Sequence, residues 1–443
     1  MARSADRGTI TRRQFLVRAG VRAGAVTAGV TGPWSAARYA FAAPGDSGAD
    51  VLVCLFLRGG ADGLSLVVPH SDGGYYEHRT MGPADIAVPP PDPDDPAGSA
   101  FALLGGGGLT GFGLHPALAG STGQGGLHSV WEAGDLAIVH ASGLPAAESV
   151  TRSHFEAEAN LERGTADLHV ETGWLGRHLT AAGIDGGIPA VGHGTGLQAS
   201  LRGDPRAVSV SSIPSFGVTG YRDNDGVREV LRELYAAEAG DSLTDQGVNT
   251  MAAVDLMQAQ DPGRYEDAGL YAGIDARFAP VADGLRATAA MLRADIGLRV
   301  ACIDFPDWDM HDAMGRVGSG RMHTHATALG EALGAFHRDL GALLGRVTVV
   351  VMSEFGRCIR VNATGGTDHG RGGVTLVMGG NVNKGIWGGY PEGPLADGPE
   401  GDLAVINDTR AVLAEVLTKR LGNPHGDQVF PGYVHPGDLG VVS

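Results

Sequence analysis

The chain has 443 residues, with 33 Lys and Arg against 50 Asp and Glu, a formal charge of −17. Its first 42 residues hold seven Arg and one acid, Asp6, so the remainder carries 26 basic against 49 acidic side chains. So acidic a body excludes a nucleic-acid-binding face, which needs cations to neutralise phosphate, and a 43% hydrophobic content excludes global disorder.

The Arg-rich start reads as an address. Thr11-Arg12-Arg13-Gln14-Phe15-Leu16, a weakly apolar stretch from Ala19 to Val30, and Ala40-Phe41-Ala42 before Ala43 together form a signal peptide of twin-arginine type over residues 1–42. The expected destination is periplasmic or extracellular. The apolar stretch falls short of the roughly 20 residues a bilayer span requires. No later run is longer, so residues 43–443 are expected to form a single domain without a transmembrane segment. Cys54, Cys302 and Cys358 are odd in number and lack a C-x-x-C spacing, which argues against a disulfide framework or a thiolate metal site.

The first predicted strand is Val51–Leu57, a continuous apolar run of the kind found in strands buried on both faces. Pro83–Gly98 is too rich in proline for helix or central strand and reads as a loop. A helix is predicted from His115 to Ala133, a strand over Leu136–Val139 and a helix from Ser153 to Arg163. Residues 223–286 are acidic and helical in pattern and suit a cap inserted over the sheet. A helix from Val281 to Arg293, a strand over Leu298–Phe305, a helix from Arg321 to Leu344 and strands over Val347–Met352 and Val374–Met378 complete the series. Alternating strands and helices with buried strands predict an α/β fold, a doubly wound, mostly parallel sheet flanked by helices.

In such sheets ligands bind beyond the carboxyl ends of the strands. Asp62 follows the first strand, and Asp307, Asp309 and His311 follow Leu298–Phe305. Glu354 and Arg357 follow Val347–Met352, and a glycine-rich loop after them carries Asp368 and His369. Parallel strands would bring these ends to one edge, where crowded carboxylates call for a divalent cation: zinc, manganese or magnesium, with zinc favoured by imidazole ligands. Each group alone also has a plainer reading as a turn or a solvated loop. Thr151 and Ser153 stand at a predicted helix start, where a hydroxyl serves as an N-cap or as a nucleophile beside the positive end of the helix dipole. His154 or His311 is the candidate general base, and Arg58, Arg152 and Arg357 are candidates to hold an anionic substrate oxygen. His323 and His325, two apart on a helix, do not face the same way.

Leu57-Arg58-Gly59-Gly60-Ala61-Asp62-Gly63-Leu64, Ser153-His154-Phe155-Glu156-Ala157, Gly173-Trp174-Leu175-Gly176-Arg177, Trp308-Asp309-Met310-His311 and Ser353-Glu354-Phe355-Gly356-Arg357 with Thr367-Asp368-His369-Gly370 resemble, in order, the motifs of domain-of-unknown-function family 1501. That family consists of exported bacterial proteins and is similar in fold to the alkaline phosphatase and sulfatase superfamily. The resemblance implies Asp62 after the first strand, a nucleophile near Ser153 or Thr151, an Asp/His pair at Asp309 (or Asp307) and His311, and a last histidine at His369. Glu354-Phe355 stands where that superfamily has Asp-His, a departure bearing on a second metal. The functional expectation is an exported metal-dependent hydrolase or transferase acting on a phosphate, sulfate or related ester, on a small molecule or a polymer. Its ligand candidates are Asp62, Asp309, His311, Glu354, Asp368 and His369. The alternative is a non-catalytic secreted binding protein with a degenerate site.

Overall fold

The structure, a computed structural model, describes residues 48–82, 84–121, 125–184, 187–218, 220–237, 242–396 and 401–443. The expected signal peptide over 1–42 lies outside the described residues. Strand β1 (Val51–Leu57) shows why two covering layers are needed, since all seven of its apolar residues are buried. Val51, Val53, Leu55 and Leu57 enter one core, while Leu52, Cys54 and Phe56 enter the other, following the two-residue period of a strand.

The sheet continues with β2 (Leu136–Gly143), β3 (Ala190–His193), β4 (Ala207–Val210), β5 (Val300–Phe305), β6 (Val347–Met352), β7 (Gly373–Gly379) and β8 (Gly385–Trp387). Across the sheet the order is Gly107–Gly108, β8, β2, β7, β6, β1, β5, β3, β4, with Asn407–Asp408 paired to β2. At its centre β1 runs parallel to both neighbours, Val53 lying opposite Val349 and Ala301. Among the described residues the longer helices are α1 (Gly73–Thr80), α2 (Leu127–Ala133), α3 (His154–Arg163), α4 (Trp174–Ala181), α5 (Asn224–Ala237), α6 (Ser242–Gln260), α7 (Ala279–Arg293), α8 (Arg321–Leu340) and α9 (Thr409–Lys419). Leu285 and Leu292 of α7 and Leu329, Leu333 and Phe336 of α8 pack on one face, and Leu161, Trp174, Leu179, Val412 and Val416 of α3, α4 and α9 on the other. The molecule is thus α/β, a large, mostly parallel mixed sheet with helices on both faces.

Several expectations are corrected in detail. β7 runs antiparallel to both β6 and β2. Twenty residues without a helix join β6 to β7, and a parallel return would need a crossover, usually helical. The chain instead turns at the edge where β6 ends and re-enters from that edge. The helix expected over 115–133 is a short 3₁₀ turn at Pro116–Ala119 followed by α2, with Gly120 (φ 83°) and Gly125 (φ 83°) between them. The long helix from Arg321 stops at Leu340, before Gly341 (φ 51°). Within 223–286 the described residues hold α5, α6 and the start of α7, while 261–278 consists of turns and short 3₁₀ pieces; α5 and α6 share a small core of Leu231, Met251 and Val254, and Ala253 and Met257 of α6 join the main core. Cys54 and Cys302 are buried thiols and register neighbours on β1 and β5. Among the described residues no helix is long and apolar enough to cross a membrane.

Candidate functional site

Five chain segments meet where β1, β2, β5 and β6 end and β7 begins. The loop after β1 is clamped to the loop after β5: the Arg58 amide donates to Phe305 O (2.9 Å) and the Trp308 amide to Arg58 O (3.0 Å). Gly59, at φ +115°, approaches so closely that a Cβ there would lie 2.5 Å from the Asp309 amide nitrogen. On the other side Asp307 holds a left-handed φ of 70°, rare and strained for a residue with a Cβ. Between these two constraints Asp309 is aimed at the rim. Behind it, the Arg357 guanidinium is buried and donates to the carbonyls of Gly60 (2.6 Å), Thr367 (3.0 Å) and Gly59, and to Asp309 Oδ1 (2.5 Å).

Three imidazoles surround Asp309 Oδ1. His311 Nε2 lies 3.1 Å from it, His369 Nε2 3.4 Å and His154 Nε2 3.5 Å. The other ring nitrogen of each is engaged: Nδ1 of His154 with Glu354 Oε1 (2.6 Å), Nδ1 of His311 with Asp368 Oδ1 (3.2 Å), and Nδ1 of His369 with the Arg152 carbonyl (2.7 Å). A carbonyl or carboxylate only accepts, so each Nδ1 carries the proton and, in the neutral ring, each Nε2 presents a lone pair. His154 Nε2 is buried without a hydrogen-bond partner, and the His311 and His369 Nε2 atoms stand 2.7 Å apart. The ligand atoms of His154, His369 and Asp309 thus lie within 4.8 Å of one another, with His311 beside them. Phe355 supports two of the rings, its centroid 4.8 Å from that of His154 and 4.9 Å from that of His369.

The carboxylates are tuned toward the ionised form. Burial opposes ionisation of Asp309, but the Arg357 hydrogen bond and charge hold its carboxyl below the ordinary range. Burial likewise works against Glu354, and hydrogen bonds from His154 and backbone amides overcome it to lower its pKa. The Asn362 hydrogen bond lowers Asp368. The imidazoles diverge: the Glu354 hydrogen bond raises His154, whereas burial lowers His369. Carboxylate and imidazole donors facing one another in this way are the donor set of a divalent transition ion.

Of the residues singled out in the sequence, Asp309, His311, His369 and His154 come together here. Glu354 and Asp368 stand one layer out, on the Nδ1 side of the imidazoles. Asp62 has partners of its own: its two carboxylate oxygens receive Arg79 Nη1 (2.9 Å) and Nη2 (3.0 Å), and it also caps the turn at Ser65. Asp307 contributes its backbone strain. Ser153 is the exposed N-cap residue of α3, its hydroxyl making no capping hydrogen bond, and Thr151 Oγ1 donates to Glu156 (2.7 Å). Arg58 is committed to Asp304 and Glu162, Arg152 reaches Asp402, and Arg357 serves the loop carbonyls. Arg79 went unnoticed in the sequence, because nothing in its local surroundings announces a partner 17 residues back. His325 is buried among Phe278, Phe305 and Trp308, away from His323.

No curated protein matches the chain. A family model does match, over residues 151–396, more than half of the sequence and four of its five motifs, the Leu57–Leu64 motif falling outside the span. With the α3 start, the Trp308–His311 segment and the Glu354–His369 loop all inside that span, the chain belongs to the family described as Protein of unknown function (DUF1501).

Proposed function

We propose that the protein is an exported, metal-dependent hydrolase or transferase acting on a phosphate, sulfate or related ester, with a fold similar to that of the alkaline phosphatase and sulfatase superfamily. One observation carries this reading: two Nε2 lone pairs, of His154 and His369, and a carboxylate oxygen of Asp309 gather within 4.8 Å of one another at the carboxyl edge of the sheet, where α/β folds place their ligands. The donors fit zinc best, manganese and magnesium less well. When bound there, the cation would polarise an ester oxygen and acidify a bound hydroxyl or water.

The chain's own groups divide the remaining work. His154, Asp309 and His369 hold the cation with His311 beside them, while Glu354, Asp368 and the Arg152 carbonyl orient the imidazoles. Ser153, one residue before His154, offers an exposed hydroxyl as nucleophile at the start of α3, where unpaired amides and the helix dipole favour developing negative charge. The Asp309 side chain is 45% and the His311 side chain 40% exposed, and so open a rim admits a polymer as readily as a small ester. The twin-arginine sequence over residues 1–42 supports export.

A non-catalytic binding protein is the second reading, and a specific observation favours it. The guanidinium groups of Arg58 and Arg357 are committed to internal partners, which removes two candidate clamps for an anionic transition state. Elemental analysis of the purified protein, together with a panel of chromogenic phosphate and sulfate esters, separates the two. Bound metal with turnover, both lost in Asp309→Ala and His369→Ala, is the expected result; absence of both supports the binding protein.

A further inference from the structure

We propose that this rim takes one transition-metal ion of the zinc class, held by the Nε2 atoms of His154 and His369 and by Asp309 Oδ1 with His311 beside them, and that the protein itself blocks a second cation. The inference rests on the metal-dependent reading above and deepens it.

The first half follows from the donor geometry. In a tetrahedral zinc site, legs of about 2.0–2.1 Å place neighbouring donor atoms roughly 3.3–3.4 Å apart. The distances from Asp309 Oδ1 to the Nε2 atoms of His369 and His154, 3.4 and 3.5 Å, lie on that scale, whereas His311 Nε2, 2.7 Å from His369 Nε2, stands too close to it for both to be ligands at tetrahedral angles. Ligand atoms of His154, Asp309 and His369 all fall within 4.8 Å of one another. Two imidazole nitrogens and one carboxylate oxygen select zinc-like ions over magnesium or calcium, which prefer oxygen. Each ring is also oriented from behind by an acceptor, the arrangement that fixes the tautomer of metal-bound histidines.

The second half follows from where the other acids are spent. Asp62 is closed in a two-oxygen pair with the buried guanidinium of Arg79. Glu354 Oε1 takes both His154 and the Gly59 amide (2.9 Å). Asp368 Oδ1 takes Asn362 Nδ2 (3.0 Å) and His311. The Phe355 ring fills the space against His154 and His369. Arg357, donating to Asp309 Oδ1, places a fixed positive charge on the inner side of the same carboxylate, which would repel a further divalent ion.

The test is metal stoichiometry and coordination in the purified chain, stripped with chelator and reloaded by dialysis against Zn²⁺ or Mg²⁺. One zinc per chain, no retained magnesium, and a strong visible band of the low-coordinate type on loading with Co²⁺ are expected. Glu354→Gln should weaken zinc binding by about 10- to 100-fold, and His154→Gln by more, with unchanged circular dichroism. Two zinc ions per chain, a weak octahedral Co²⁺ spectrum, or undiminished zinc affinity in His154→Gln would overturn the one-ion site while leaving the metal-dependent reading standing. A protein that binds no metal at all would remove both.

Discussion

A methyl group at position 59 has nowhere to go: its carbon would lie 2.5 Å from the Asp309 amide and 3.0 Å from Trp308 backbone atoms, at a φ of +115°. Gly59→Ala therefore combines backbone strain of order 1–3 kcal/mol with a clash against the segment that aims Asp309. It should lower both the unfolding free energy in urea and the affinity for zinc, whereas a change in neither would show that the two loops are not locked together. Arg79 makes a different kind of contribution. Its guanidinium and the Asp62 carboxylate are buried as a pair, and removing one member strands the other, at about 3–5 kcal/mol. Arg79→Met should destabilise by that order in urea unfolding, and a loss below about 1 kcal/mol would mean that Asp62 finds another partner.

At the scale of elements, two glycines in α8 permit a contact that helix propensity alone argues against. A Cβ at Gly330 would lie 2.2 Å from Leu118 O, and one at Gly334 2.0 Å from Gly125 O. In an exposed helix Gly→Ala gains about 1 kcal/mol; here Gly330→Ala should lower the thermal midpoint instead, because the helix must back away from the Pro116–Ala119 turn. Buried histidines supply the pH dependence. Burial lowers His115 to about 3 and His140 and His178 to about 4, and each uses Nδ1 as an acceptor, from Ala117 N–H, Ala141 N–H and Asn423 Nδ2 respectively. Their folded pKa values lie below the unfolded value of about 6.5, so the unfolded chain takes up protons first as the pH falls. Stability is full above about pH 6.5 and declines from there toward about pH 4, each histidine accounting for roughly 2 kcal/mol by pH 5. Urea titrations at pH 7 and pH 5 in chelator, which keeps metal release out of the comparison, should show this decline; equal midpoints would contradict it.

At the scale of the whole molecule, the cation would fasten together segments that follow β2, β5 and β6. Binding only to the folded state, zinc at a thousandfold excess over its dissociation constant should add about 4 kcal/mol. The thermal midpoint should therefore rise saturably with zinc and fall with chelator, and a midpoint indifferent to both would count against the centre. The central strands were legible in the sequence, because burial on both faces writes a continuous apolar run that needs no distant information. Ala190–His193 and Ala207–Val210 were missed, being only four residues long. The reversed direction of β7 was not legible either, since direction follows from how the preceding loop closes. The sequence by itself determined an α/β chain with acids and imidazoles after its strands, because composition and local periodicity reflect solvent exposure one element at a time. Only the tertiary structure decided that His154 joins Asp309, His311 and His369 while Asp62, Glu354 and Asp368 are taken by other partners. Side chains of similar chemistry compete for the same few ångströms, and the outcome depends on backbone approach and hydrogen-bond geometry between residues hundreds of positions apart.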